Sequence, residues 1–282
     1  MNNQKLHTKT IFAIIIPVLI GVIIFILPSY IQEPLVLKMD NLNFWSWFTH
    51  IFVHQNFQHL SINMTMYLVS MFFAYFILPK KQKEDFYKIV IASIILVPLI
   101  IFVLTLIFRA TGLFPLQLIN HRGFSGISSA ASGFLAFAIA KRIQVLWGHE
   151  KNKHLLLNLC YFVFIPSLAV MVWRLSIKLS VYIFLFWIVL ILNMIWFLRR
   201  ERLILDVKKF NKKEVLFIAI GMAVLFFGVL LLIPEEIVQN GSATNTLAHL
   251  IGFVLGFVFM FVNYTFKKQG YGKNTTNCAL LS

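Results

Sequence analysis

Four short stretches of this chain carry side chains that do chemistry when they converge: Gly123-Phe124-Ser125-Gly126, His249 followed by Gly252 and Gly256, His59 with Asn63, and His50 with His54. A serine hydroxyl beside an imidazole is the smallest pair for nucleophilic acyl transfer, because the ring takes the hydroxyl proton as oxygen bonds to a carbonyl carbon. Gly123 and Gly126 let backbone pass closely and adopt conformations closed to other residues, which exposes the Ser125 hydroxyl between them. Ser125 also opens an apolar run, so the unpaired N–H groups of a helix start point at whatever oxygen reacts there. The same residues have a plainer use: Ser125, Ser129, Ser132 and Gly133 form a small-residue stripe that suits helix packing.

Gly252 and Gly256, four apart, let the helix that carries His249 approach a neighbour closely enough for the imidazole to reach a serine. Packing alone explains the glycines. It does not explain an imidazole one turn before them, where a ring without a partner is costly. His59 and Asn63 lie one turn apart on one helical face. Aimed at one point together with the Ser125 backbone N–H, their donors stabilise an acyl oxyanion, each typically by about 3 kcal/mol; aimed elsewhere, they tie the preceding loop to the bundle. His50 and His54, at i and i+4, invite a metal, but the zinc-protease pattern needs a glutamate after the first histidine and position 51 is isoleucine. They are therefore expected to anchor a loop, and no metal or other cofactor is implied. His121 is expected to be a solvated loop residue. Asn240-Gly241-Ser242 fits a glycosylation sequon, while Cys160 and Cys278 are too few for a disulfide framework or a metal site.

The elements that must position these residues are membrane spans. Apolar residues make up 60% of the chain and charged ones 12%, a balance foreign to water-soluble domains. Apolar runs bounded by charge give eight candidate helices, at about 11–30, 59–79, 87–108, 125–140, 155–173, 179–198, 215–233 and 246–265, long enough to cross a hydrocarbon core about 30 Å thick. The first follows a basic start but lacks a small-x-small cleavage pattern, so an uncleaved span is expected. No Asp or Glu lies in the middle of any span, which leaves no acid for a Ser-His-Asp triad and no carboxylate for a proton relay.

The formal charge of +15 is topological in origin. Lys and Arg flank the spans and form no stripe with interleaved aromatics, which points away from nucleic acid. Of the 25 cations, Lys38, Arg109, Arg122, Arg174 and Lys178 fall in one set of alternating loops and the remainder in the other. The rule that positive loops stay inside then predicts both termini in the cytoplasm. With that alternation the fourth and eighth spans run the same way, so Ser125 and His249, each near its own helix start, share one side of the membrane. The loop from about Gln32 to Gln58 holds Phe44, Trp45, Trp47, Phe48, Phe52 and Phe57, a content that suits a segment partly embedded at headgroup level.

Taken in order, Phe48-Thr49-His50, His54, His59 with Asn63, Gly123-Phe124-Ser125-Gly126 and Ala248-His249 with Gly252 and Gly256 resemble the rhomboid family of intramembrane serine proteases. The likeness covers about residues 44–141 and 240–265. It implies an all-α polytopic bundle: a six-helix rhomboid-like core over 11–141 and 214–266, an inserted region at 142–213 carrying two extra spans, and a cytoplasmic tail at 267–282, all within one membrane domain. It implies Ser125 as nucleophile, His249 as general base, His59 and Asn63 at the oxyanion hole, and Gly123, Gly126, His50, His54, Gly252 and Gly256 in support. Single-span or other transmembrane proteins would be the substrates and a prokaryotic plasma membrane the setting, since no transit or retention signal is read. The chain departs from the family in four ways. Ser46 follows Trp45 where the family has Arg, and Ser129 replaces an aromatic one turn after the serine. The second span lacks the family's glycine pair and following glutamate, and three spans separate Ser125 from His249 where the family core has two fewer. The alternative these departures favour is a non-catalytic relative that binds or chaperones membrane clients; a transporter would call for repeats or intramembrane carboxylates that are not seen.

Overall fold

Pro28, Asn56 and Pro79 mark helix ends, whereas Pro17, Pro98 and Pro166 lie inside long helices. In the computed structural model, residues 3–38, 43–111, 120–148, 152–173, 177–200, 211–232, 238–239, 242–243 and 246–270 are described, and they are almost wholly helical. Helix α1 (Asn3–Ile26) starts earlier than its apolar run and stops just before Pro28, because the residue preceding a proline is disfavoured in α conformation. Two single turns follow, α2 (Ser29–Gln32) and α3 (Ser46–Thr49), with 3-10 turns at Glu33–Leu35 and His50–Phe52. Helix α4 (Phe57–Ile77) is capped by Asn56, whose side chain accepts from the His59 N–H at 2.8 Å, and it ends ahead of Pro79. After the turn α5 (Lys80–Lys83) come α6 (Phe86–Ala110), α7 (Ser125–Leu146), α8 (Lys153–Trp173), α9 (Ile177–Arg200), α10 (Lys212–Leu232) and α11 (Thr246–Gly270). Strand content is two short antiparallel pairs, β1 (Leu37–Lys38) with β2 (Asn120–His121) and β3 (Val238–Gln239) with β4 (Ser242–Ala243).

The chain is therefore all-α, and four of its helices, within α1, α4, α6 and α10, are long and apolar enough to cross a membrane. These fit a membrane protein. Shorter apolar stretches at His154–Val170, Val181–Asn193 and Ala248–Tyr264 accompany them among the described residues. Helix α7 is the least apolar of the long helices for a structural reason: it is the axis of the bundle. Every residue from Ser125 to Lys141 is buried, with α11, α4, α8, α10 and α6 packed around it. A helix that meets protein on all sides needs small side chains more than greasy ones.

Paired contacts give the direction of each neighbour. Gly126 faces Ala248 and Gly252, and Ala130 faces Gly256, so α7 and α11 run parallel. His59 against Gly123, Asn63 against Ser128 and Ser70 against Ser132 make α4 parallel to α7 as well. Phe86 meets Phe134 while Ile101 meets Gly126, so α6 is antiparallel. Ile77 and Met66 meet Gly221 and Gly228, which makes α10 antiparallel to α4. The N-terminal ends of α4, α7 and α11 thus gather at one end of the bundle, and the candidate site lies there.

The stretch expected as a two-helix insertion divides unequally. Helix α8 buries Leu155, Leu156, Leu159, Cys160 and Val163 against the core, whereas α9 packs on α8 and leaves Val181, Tyr182, Leu185, Leu192 and Trp196 exposed. At the end of α7 away from the site, the helix continues beyond the expected stop at 140 because Lys141 is itself buried. Its Nζ donates to Gln144 Oε1 at 2.5 Å and sits 4.2 Å from the Tyr264 ring centroid. Arg142 pairs with Glu214 nearby.

Candidate active site

Helix α7 begins at Ser125 with no side chain capping its N-terminus, so N–H groups of its first turn lack intrahelical partners. The two residues before it are held from outside the helix. Gly123 N–H donates to His50 O at 3.0 Å, and Phe124 N–H donates to His54 Nε2 at 3.3 Å. His50 and His54 therefore act as loop anchors in this fold, fixing the approach to Ser125. His50 is in turn oriented by Ser46 O, 2.8 Å from its Nδ1, and Ser46 Oγ donates to Asn43 O at 2.6 Å. A serine at position 46 is thus a turn-former, where the rhomboid pattern has a cation.

For His54 the accepted bond sets the tautomer: Nε2 must be bare, and Nδ1–H lies 3.3 Å from Phe52 O. Burial, and then the neighbouring His59, push its pKa down to about 3. Farther out, β1 pairs Leu37 with His121 and Lys38 with Asn120. Glu33 receives Lys38 at 2.9 Å and Arg122 at 2.8 Å, and the Lys38 bond leads in holding its carboxyl below the usual range. The segment feeding into Ser125 is thereby strapped to the aromatic loop over a continuous set of contacts.

Gly123 is required twice over. Its φ of 112° is a conformation that side chains resist, and an added Cβ would stand 2.9 Å from His59 Cε1. The His59 ring consequently lies directly over the turn that presents Ser125. Phe124, wholly buried, wedges between Phe52 and Tyr67, with ring centroids 6.1 and 5.0 Å away. The one signal for Phe124 in the sequence is a large aromatic directly after Gly123 and before Ser125.

Across the seam with α11, the packing is backbone on backbone. A Cβ at Gly252 would collide with Gly126 O, one at Gly256 with Ala130 O, and one at Gly133 with Phe253 O. This approach brings His249 level with the first turn of α7. His249 is buried, with Nδ1 3.3 Å from Ser129 Oγ, and its Nε2 has no partner among the described residues. Ser125 is 7% exposed, the one member of the Ser125, Ser128, Ser129 and Ser132 set that is not wholly enclosed. No hydrogen bond joins Ser125 to His249 in this state. Ser129, read from sequence only as a departure and a packing residue, is instead the side chain that holds the ring.

On the α4 side, Ser128 Oγ donates to Asn63 O at 2.8 Å, which locks α4 to α7 one turn below Ser125. Asn63 is buried with its Nδ2 lacking a partner, and Tyr67, one turn on, has an unpartnered hydroxyl. Buried polar atoms without partners are rare enough to need an explanation. Three such groups, Asn63 Nδ2, Tyr67 Oη and His249 Nε2, lie on the two helices flanking α7. Among the described residues no set of three or more His, Cys, Asp or Glu side chains is placed to hold a metal ion. Asn245, Asn240, Gly241, Arg174, Cys278 and the tail beyond Gly270 lie outside the described residues, as does the side chain of His121.

No protein-family model matches this chain, and neither a curated protein nor a solved structure matches it.

Proposed function

We propose that this protein is an intramembrane serine endopeptidase of rhomboid type that cleaves transmembrane protein substrates. The observation that carries this reading is the level meeting of two parallel helix starts: a partly open Ser125 on α7 and, on α11, an imidazole with an unsatisfied Nε2. In the proposed reaction Ser125 Oγ attacks the scissile carbonyl carbon while His249 Nε2 takes the hydroxyl proton. The carbonyl oxygen becomes an oxyanion facing the first-turn N–H groups of α7, with Asn63 Nδ2 and His59 as further donors. Collapse breaks the C–N bond, and the amine leaves with the proton returned by His249. Water then attacks the Ser125 ester by the same route, releasing the acid and restoring the hydroxyl. The unpartnered Asn63 amide is costly at rest and is satisfied by a substrate oxygen.

The proposal includes the membrane setting. In this reading eight spans would put both termini on the Lys- and Arg-rich cytoplasmic side and the site near the opposite face, with the exposed Phe44 and Trp45 at headgroup level. Purified protein in liposomes is expected to cleave a single-span reporter, and Ser125→Ala and His249→Ala each to abolish cleavage. A fluorophosphonate should label Ser125. Absence of labelling and equal cleavage by all three proteins would overturn the reading.

One observation favours a second reading. His249 is engaged by Ser129 and makes no bond to Ser125, as expected of a non-catalytic relative that holds membrane clients. That protein would retain client capture after Ser125→Ala and would give no labelling at any concentration of probe.

A further inference from the structure

We infer that Ser129 is the positioning residue of His249, accepting a hydrogen bond from Nδ1–H so that Nε2 presents its lone pair toward the first turn of α7. The inference rests on the protease reading above and adds to it the group that sets the tautomer of the base. A neutral imidazole carries one ring proton, and it serves as a base through Nε2 only when that proton sits on Nδ1. Something must hold it there. The described residues of the bundle interior supply no carboxylate for the purpose, and Ser129 Oγ, fully buried, stands 3.3 Å from Nδ1.

The other serines of α7 show how different this contact is. Ser128 Oγ donates to Asn63 O and Phe124 O, and Ser132 Oγ to Ser128 O, each using a backbone carbonyl as serines in helices ordinarily do. Ser129 alone among these serines is matched to a ring. The contact fits either ring tautomer, and in the one with the proton on Nδ1, Ser129 Oγ accepts and Nε2 is left able to take the Ser125 proton. The geometry is guarded by the glycine seam. Gly126 against Ala248 and Gly252 fixes the depth of His249 relative to α7, and Ser129 lies one turn inward from Ser125 on that helix. A hydroxyl in this place supports the imidazolium formed during attack without bringing a second charge into the bundle. It is weaker than a carboxylate, because it orients by a neutral hydrogen bond.

The test uses the full chain in detergent micelles. Ser129→Ala is expected to lower kcat about tenfold with KM unchanged, since one hydrogen bond biasing the tautomer is lost. Ser129→Thr keeps the hydroxyl and should restore most of the rate. Ser132→Ala, which removes a buried hydroxyl from the same helix without touching His249, should leave kcat unchanged. Nitrogen-15 spectra of labelled histidine should show the Nδ1–H tautomer in wild type and a mixture in Ser129→Ala. If wild type cleaves and Ser129→Ala has the same kcat and tautomer, the assignment to Ser129 fails while proteolysis by Ser125 stands. An equal loss in Ser132→Ala overturns it too, by showing that packing alone is at work. A wild-type protein that neither cleaves nor labels at Ser125 overturns the protease reading and this inference together.

Discussion

The seam between α7 and α11 and the seam between α8 and α9 are built from opposite materials. In the first, Gly126, Gly133, Gly252 and Gly256 remove side chains altogether, so peptide groups of the two helices touch. In the second, large side chains mediate everything: Trp187 stacks near Phe162 at 5.9 Å between centroids and donates its Nε1–H to Phe162 O at 3.2 Å. The outer faces of the two pairs differ accordingly. Helix α7 is enclosed, whereas α9 leaves most of its apolar side chains outward, where lipid tails would solvate them as well as protein does. Backbone contact holds atoms to within tenths of an ångström; side-chain contact between long residues tolerates sliding. The candidate site residues Ser125, Ser129 and His249 lie on this backbone seam.

Gly252→Val is the strongest way to break that contrast. A Cβ there collides with the Gly126 carbonyl, so relief requires the helices to separate, and it carries His249 away from Ser125 and Ser129. The expected cost is about 3 kcal/mol or more in unfolding free energy. Reporter cleavage should fall by about 100-fold or more even in protein that remains folded, because misplacement near 1 Å is enough to do so. Thermal unfolding in detergent and cleavage kinetics measure the two effects separately. A variant with wild-type melting and wild-type rate would mean that the seam does not set the site.

How legible the two regions were in the sequence follows from the same physics. A helix run is written in local composition, so most long-helix ends were expected within a few residues; Pro28, Pro79 and Asn56 account for some that moved, while α1 starts at Asn3 instead of about 11 and α7 runs to Leu146 instead of 140. Gly252 and Gly256 announced a close approach on their own. The Ser129 to His249 bond was not legible, because it depends on how α11 is rotated about its axis against a helix over a hundred residues away. Nor was the strap from Glu33, Lys38, His50 and His54 onto residues 120–124, which is assembled from single turns and pairs of strand residues too short to leave a periodic pattern. The histidine pair at 50 and 54 was expected to anchor a loop, but which atoms it would anchor could not be read from spacing.

That strap gives the comparison a pH dependence. His54 must be neutral to accept the Phe124 N–H, and its pKa in the fold is about 3 against 6.5 ordinarily. The folded state therefore resists a proton that the unfolded chain accepts. Its contribution is complete above about pH 6.5, declines by about 1.4 kcal/mol for each unit below that, and is exhausted near pH 3. His54→Gln retains an acceptor and cannot titrate. Denaturant titrations at pH 7.5 and pH 5.5 should show wild type losing about 1.4 kcal/mol more than His54→Gln over that interval. Equal losses would place the Phe124 amide's partner elsewhere.

The smallest effect on cleavage is expected where the helices meet through large side chains. Trp187→Phe removes the indole N–H that reaches Phe162 O but keeps a ring against Phe162. The lost bond costs about 1–3 kcal/mol, since the residue four on from Phe162 is Pro166, which has no N–H to offer the freed carbonyl, while a phenyl ring fills most of the indole's volume. Reporter cleavage should be indistinguishable from wild type, because α9 meets the bundle through α8 and makes no extensive contact with α7 or α11. Kinetics on this variant beside Gly252→Val test whether position in the bundle, and not burial of apolar area as such, decides which changes reach the site. A fall in kcat for Trp187→Phe comparable to that for Gly252→Val would mean that the peripheral helix is coupled to His249 through α8. The contacts of Phe164 with Phe253 and Phe257, at 5.1 and 4.8 Å between centroids, are a direct route from α8 to α11 for such coupling. Adding Phe164→Leu to Trp187→Phe would then remove it.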